Sequence, residues 1–262
     1  MDMYQSNTTK IHSDDTCKVC KGNLFVLYED DKGYTMSKPC VCREQKIAEN
    51  RLKFANIPDT YKGMMLKNFN WYIYLKSESR QLISIAIDII KKYLANMDIN
   101  KTEGIGMYIY SNTKGSGKTR LAASIANELM DRHSIQCKFA VSTKILAEIK
   151  KTYESRNEEY TESKIMNDLF LAKVLIIDDF GTENVSDWVN EKFFDIINER
   201  YLHKRITIFT SNLSIDNLPH DERIKSRIKE RAVIIKFPEE DIRAKISEKL
   251  NTEYLGGNNE TR

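Results

Sequence analysis

The chain has 262 residues, and its 41 lysines and arginines against 38 aspartates and glutamates leave a formal net charge of +3. So even a balance excludes a global field as the source of any nucleic-acid affinity, which would have to come from local placement. No apolar run approaches the roughly twenty residues needed to span a bilayer, so the expectation is a soluble, cytoplasmic protein with no membrane partner. The length suits one α/β core with a small module beside it.

After a polar first dozen residues, expected to be disordered, Cys17-x-x-Cys20 and Cys40-x-Cys42 bracket Lys21 to Pro39. That stretch holds the strand-like Leu24-Phe25-Val26-Leu27-Tyr28 and a turn near Asp30 to Gly33. Four thiols in two close pairs separated by a hairpin fit a tetrahedral Zn²⁺ site. A segment this small cannot bury enough apolar surface to fold unaided, so the metal would supply folding energy. The second pair departs from the commoner C-x-x-C spacing, which leaves His12 as a replacement for one thiol. Disulfides and independent free thiols are the alternatives, but no secretory signal precedes the cysteines, and the chemistry read below is intracellular, where thiols stay reduced.

Ile83 to Leu94 reads as an amphipathic helix, and Gly106 to Tyr110 as a short apolar strand. Ser111-Asn112-Thr113-Lys114-Gly115-Ser116-Gly117-Lys118-Thr119 follows that strand and opens a helix striped with Leu121, Ile125 and Leu129 beside Ala122 and Ala126, stopping near His133. Strand, glycine-rich turn and helix are the context a phosphate-binding loop needs, because successive N–H groups and the helix N-terminus then face the anion. Lys118 would reach the β- and γ-phosphates of ATP, and Thr119 would hold Mg²⁺. Asn112 stands where the motif usually has its first glycine; asparagine tolerates a left-handed backbone best among other residues. A flexible surface loop without a ligand is the bland alternative.

Cys137 to Val141 is strand-like, with Cys137 expected in the core. Val174-Leu175-Ile176-Ile177 then suits a parallel strand buried on both faces and delivers Asp178 and Asp179 at its carboxyl end, where ligands of open α/β sheets bind. Asp178 would hold Mg²⁺ through water, and Asp179 would orient or deprotonate the attacking water. Alone, the two acids would be a solvated turn with Phe180-Gly181. A helix from about Asp187 to His203, burying Val189, Phe193, Ile196 and Ile197, leads into a strand from Arg205 to Ser211 that ends at Asn212. Asn212 could hydrogen-bond both water and γ-phosphate, or simply form the turn before Leu213. Asp221 to Arg231 is a charged helical segment.

These motifs in this order resemble the AAA+ ATPases, and most closely the DnaC/DnaI-type replicative helicase loaders, over roughly residues 55 to 250. The resemblance implies an AAA+ P-loop ATPase core, a parallel sheet flanked by helices, with a small N-terminal zinc-binding module. It makes Arg227, in Ile224-Lys225-Ser226-Arg227, a finger supplied to the ATP of a neighbouring subunit, and Arg243 a sensor of the γ-phosphate in its own. Ile57-Pro58-Asp59-Thr60-Tyr61 and Asn68-Phe69 look similar to the family's entry segment. An arginine acting in trans implies a self-oligomer closing into a ring or opening into a spiral.

The same resemblance implies a cysteine module over 1–50 that grips a hexameric replicative helicase, with basic Arg43 to Phe54 as its connection. Residues 51–75 would be linker and entry segment, 76–250 the ATPase domain and 251–262 a disordered tail. In such loaders the segment corresponding to Ser142 to Leu171 lines a single-stranded DNA path; here it carries Lys144, Lys150, Lys151, Tyr153, Arg156 and Tyr160. Glu148, Glu154, Glu158, Glu159 and Glu162 in the same segment leave an exposed mixed-charge helix as an equal alternative. The expectation is an ATP-dependent helicase loader using ATP, Mg²⁺ and Zn²⁺, with weak hydrolysis timing release. The rivals are an IstB-type ATPase helper of transposition, a non-catalytic adaptor, and a small-molecule kinase, for which no acceptor pocket is readable.

Overall fold

A computed structural model describes residues 17–44, 46, 56–154 and 161–255. His12, Arg156, Tyr160, most of the expected connection up to Phe54, and residues 256–262 lie outside the described residues. The chain divides into two compact units, Met1–Asn50 and Arg51–Arg262.

In the first unit, strands β1 (Phe25–Glu29) and β2 (Thr35–Pro39) form an antiparallel hairpin. Its turn is fixed by Asp30, whose carboxylate accepts the N–H groups of Lys32 and Tyr34. The hairpin has no core of its own: Phe25, Leu27, Tyr28, Tyr34 and Met36 are all exposed. Beside the hairpin, Cys20 and Cys40 are buried.

The second unit is built on five parallel strands, β3 (Gly106–Tyr110), β4 (Cys137–Val141), β5 (Val174–Phe180), β6 (Ile206–Ser211) and β7 (Ala232–Lys236), in the order β4-β5-β6-β3-β7. Helices α1 (Ser77–Ala95) and α2 (Met97–Glu103) precede β3, and α3 (Lys118–Arg132) follows it. Next come α4 (Ser142–Glu154), α5 (Glu162–Leu171), α6 (Asp187–Leu202), α7 (Glu222–Arg231) and α8 (Ile242–Leu255). Helix α8 therefore runs past residue 251, where a tail was expected, and α1 begins six residues before Ile83.

The two-residue repeat of the strands makes the layers. Met107, Ile109, Val174 and Ile176 face α1 and α3, joining Ile83, Ile90, Leu121, Ile125 and Leu129 in one core. Tyr108, Leu175 and Ile177 face the opposite way and join Ile145, Leu146, Ile149, Val189, Phe193 and Ile196 from α4 and α6. Because β5 carries side chains into both cores, Val174 to Ile177 are each fully buried, which is why its sequence is an unbroken apolar run.

Arg200 of α6 is 1% exposed, yet it is fully used. Its guanidinium donates to the carbonyls of Leu169, Ala172 and Ile206 and to the Thr207 hydroxyl, fastening the end of α5 to the start of β6. Burial, with a smaller contribution from Arg205, pushes its pKa down to about 9.

Candidate nucleotide-binding site

The loop between β3 and α3 closes around its own lysine. Gly115 and Gly117 take the left-handed conformation, at φ 73° and 99°, and a Cβ on Gly115 would lie 2.3 Å from Asp241 Oδ1. Asn112 does not adopt the left-handed conformation expected of it; its amide donates instead to Glu239 Oε1 at 3.0 Å. With φ at Asn112 outside the left-handed region, the position needs no glycine and carries no backbone strain. Thr113 donates its N–H to the Ser111 hydroxyl, Lys114 is exposed, and the Ser116 carbonyl accepts the Tyr74 hydroxyl at 2.6 Å. Lys118 Nζ donates to the Ser111 and Thr113 carbonyls and to Ser116 Oγ, so the ammonium occupies the hollow of the loop.

Burial pushes Lys118 down to about 8, with Arg243 adding to the fall and Asp179 and Asp178 opposing it. A polyphosphate beside Nζ would restore the proton. Nucleotide binding near about pH 8 is therefore expected to take up roughly half a proton per site, fading toward acid where Lys118 is already charged. Calorimetric binding heats in buffers of different ionisation enthalpy measure this; heats independent of buffer would contradict it.

The acids arrive at the same end of the sheet. Asp178 is 4% exposed and accepts the Thr210 hydroxyl at 2.6 Å. Burial raises its pKa to about 6, opposed chiefly by the Thr210 hydrogen bond, with Thr119 acting in the same direction. The Thr119 hydroxyl and the Asp178 carboxylate, an oxygen-only pair, suit a hard cation. Asp179 is partly exposed and holds φ at 55°, its N–H donating to Thr210 Oγ1 and its carbonyl accepting from the Thr182 hydroxyl, with Ser142 Oγ 3.0 Å away. A turn does follow the acids, the Thr182 N–H donating to the Asp179 carbonyl, but Phe180 within it is fully buried.

Asn212 follows Ser211, whose register partners are Tyr110 on β3 and Phe180 on β5, so the phosphate loop, the acid pair and Asn212 meet at the carboxyl ends of neighbouring strands. Arg243, in the first turn of α8, joins them: its Cβ lies 3.4 Å from a Cβ built on Gly115, and the neighbouring Ile242 N–H donates to the Gly115 carbonyl. Arg227 is elsewhere. Its Nε donates to Asn198 Oδ1 at 2.8 Å and its guanidinium stacks over Phe194 at 4.7 Å and Tyr201 at 5.7 Å, all on α6.

Sequence reasoning missed the bracing of this site. Glu240 is buried and accepts the N–H groups of Leu75 and Lys76 and the ammonium of Lys245. Burial works against its charge, yet Lys245, Ser79 and those N–H groups hold it down to about 2. On the other side of the loop, Asn127 donates to the carbonyls of Tyr61 and Met64, and Arg120 covers the Phe69 ring and donates to the Asn68 carbonyl. The entry segment is thereby seated on α3. Glu240 could not be found by motif, since the backbone N–H groups it accepts lie 164 and 165 residues away.

In the first unit the sulfurs of Cys17, Cys20, Cys40 and Cys42 all lie within 4.8 Å of one another. Cys20 and Cys42 are 3.5 Å apart and Cys17 and Cys40 3.9 Å, bracketing the about 3.8 Å edge of a tetrahedron with metal–sulfur bonds near 2.3 Å. Hydrogen bonds from the backbone at Cys20 and Val19 lower the Cys17 thiol to about 6. The donor set fits zinc without a histidine.

Lys144, Lys150, Lys151 and Tyr153 all lie exposed on α4. Three of them have local partners: Lys150 lies over the Trp188 ring, Lys151 pairs with Glu148, and the Tyr153 hydroxyl donates to Glu162. Tyr153 also meets Trp188 edge-on, so Lys150, Tyr153, Trp188 and Glu162 are linked by contact.

A family model described as IstB-like ATP binding protein matches residues 27–234. The chain belongs to that family. Within it, the IstB/DnaC-like AAA+ ATPases, the chain is 25% identical over 217 residues to the uncharacterized protein YqaM of Bacillus subtilis, covering 80% of this chain and 64% of that one. It is 27% identical to the phage-like element PBSX protein XkdC of the same organism, over 82% and 78%. It is 29% identical to the replicative helicase loader DnaC of Escherichia coli, over 55% and 57%, so it spans under two thirds of several relatives' lengths. Among solved structures, the DnaC helicase loader superposes with TM-score 0.57 at 23% identity, over 69% of this chain and all of that one, a likeness of fold. DnaI gives 0.54 at 25% identity, over 70% and 95%. The AAA+ architecture expected from the motifs is therefore the one present. Among the described residues no helix is long and apolar enough to cross a membrane.

Proposed function

We propose that this IstB-like ATPase loads a hexameric replicative DNA helicase onto single-stranded DNA, and that weak ATP hydrolysis times the helicase's release. What supports the reading most is the joining, in one chain, of a four-cysteine hairpin unit and an ATPase unit whose phosphate loop, acid pair and Asn212 meet at the carboxyl ends of neighbouring strands. Relatives named as replicative helicase loaders point the same way.

The chemistry follows from the side chains. Backbone N–H groups of Gly115 to Thr119 and the α3 N-terminus would cradle the phosphates, with Lys118 turning from the loop carbonyls to a phosphate oxygen. Thr119 and Asp178 would hold Mg²⁺, which neutralises charge on the transferring phosphoryl group. Asp179 would orient the water and accept its proton, and Asn212 would steady water and γ-phosphate. Arg243 would reach the nucleotide of its own subunit and Arg227 that of a neighbour, so the active form would be an oligomer in the cytoplasm. Residues 1–50 would carry zinc and the helicase contact, 51–75 the linker and entry segment, and the α4 residues Lys144, Lys150, Lys151 and Tyr153 the DNA.

The family description favours a second reading, an IstB-type helper of transposition partnered by a transposase. A pull-down from a host lysate, with and without ATP, separates the two by mass spectrometry. The expected catch is a hexameric replicative helicase, lost on deleting residues 1–50; a transposase would support the second reading, and retention of helicase by the truncated chain would remove the first unit from the interface.

A further inference from the structure

Glu183 and His220 carry titratable groups in the interior that none of the steps above employs. Their side chains are 2% and 0% exposed, and Glu183 Oε1 lies 2.8 Å from His220 Nε2. The same carboxylate accepts the Gly181 N–H at 3.1 Å and the Ser142 hydroxyl at 2.8 Å. Ser142 Oγ is also 3.0 Å from the Asp179 carbonyl. The His220 ring stacks on Phe180 with centroids 4.3 Å apart and meets Phe193 edge-on. Three separate parts of the chain therefore converge on Glu183: the turn after the acid pair, the start of α4, and the residue before Asp221, which caps the helix bearing Arg227.

A carboxylate in the core is costly unless its oxygens are filled, and removing one donor leaves the charge exposed to a low-dielectric surrounding. The cluster sits directly behind a residue in strain. Asp179 holds a left-handed backbone at φ 55° without being glycine, a conformation that persists only when neighbours over-determine it. The Thr182 hydroxyl donates to its carbonyl, while Glu183 takes the single Ser142 proton at 2.8 Å and the Gly181 N–H, holding the turn that follows Asp179.

We propose that Glu183 and His220 are a buried positioning pair that holds Asp179 in its working orientation and couples the acid pair to the Arg227 helix. The proposal rests on the reading of Asp179 as the water-orienting group, and its test separates the two. In Glu183→Ala and His220→Ala, kcat per nucleotide-binding site is expected to fall about 10- to 100-fold with KM little changed, because the phosphate loop is untouched. The double variant should be no slower than the worse single one, and His220→Gln, whose amide can face Oε1, should recover part of the loss.

Hydrogen exchange of the segment 178–183 reports on the pair whether or not ATP is turned over. Exchange about tenfold faster there, with protection of β3 and β6 unchanged, is the expected result. Unaltered exchange at 178–183, or a uniform loss across the sheet, would overturn the proposal. Altered exchange in a protein whose unmutated form hydrolyses no ATP would instead retain the pair and remove the hydrolytic role of Asp179.

Discussion

Arg227→Ala should keep ATP binding while hydrolysis falls by about 10³- to 10⁵-fold, the range an arginine supplied to a transferring phosphoryl group provides. The guanidinium is already oriented: Asn198 takes Nε, the Arg223 carbonyl takes Nη1, and the rings of Phe194 and Tyr201 flank it. Little side-chain freedom would be lost when a neighbour's nucleotide meets it. Those partners belong to α6 and α7, none to the phosphate loop, which suits action across a subunit boundary. Mixing Arg227→Ala with Asp179→Asn subunits should then restore part of the activity, since one chain supplies the arginine and the other an intact acid. Failure of the mixture to recover would place the arginine's action within its own subunit. Arg227→Lys should not rescue, because an ammonium lacks both the planar fork and the stacking surface.

The second large effect concerns the cysteine hairpin. Metal analysis is expected to find about one zinc per chain, and structural sites of this type bind with about 10–16 kcal/mol near neutral pH. With Phe25, Leu27, Tyr28 and Met36 exposed, the hairpin has no apolar core to fall back on, so Cys17→Ser with Cys20→Ser should lose both the metal and the dispersion of its amide resonances. Nucleotide binding by the separate ATPase unit should persist. His12→Ala should leave zinc content unchanged, since four sulfurs already converge. Full zinc content in the double-serine chain would overturn the ligand assignment.

What could be read along the chain was whatever depends on near neighbours. The phosphate loop is a run of nine residues between a strand and a helix, and the acid pair ends an apolar run whose burial on both faces follows from its composition. The spacing of Val189, Phe193, Ile196 and Ile197 likewise marked the buried face of α6. Groups that act through distant partners left no such trace. Thr210 reads as one more β-branched strand residue, although its hydroxyl donates to Asp178 and accepts from the Asp179 N–H. Glu183 and His220 lie 37 positions apart by their numbers, and either would pass for a surface residue in a polar loop. Asn112 was legible as a departure, but its contact was not: the amide donates to Glu239, 127 residues on.

The Glu240 clamp has a mechanical meaning. By gripping the N–H groups of Leu75 and Lys76 while its neighbours Ile242 and Arg243 border the phosphate loop, it makes the entrance and the exit of the ATPase chain a single seam. A nucleotide that stiffened the loop would stiffen that seam as well. The ATPase unit would then resist being pulled apart from its two ends best when loaded, as a clasp holds a necklace only while it is shut.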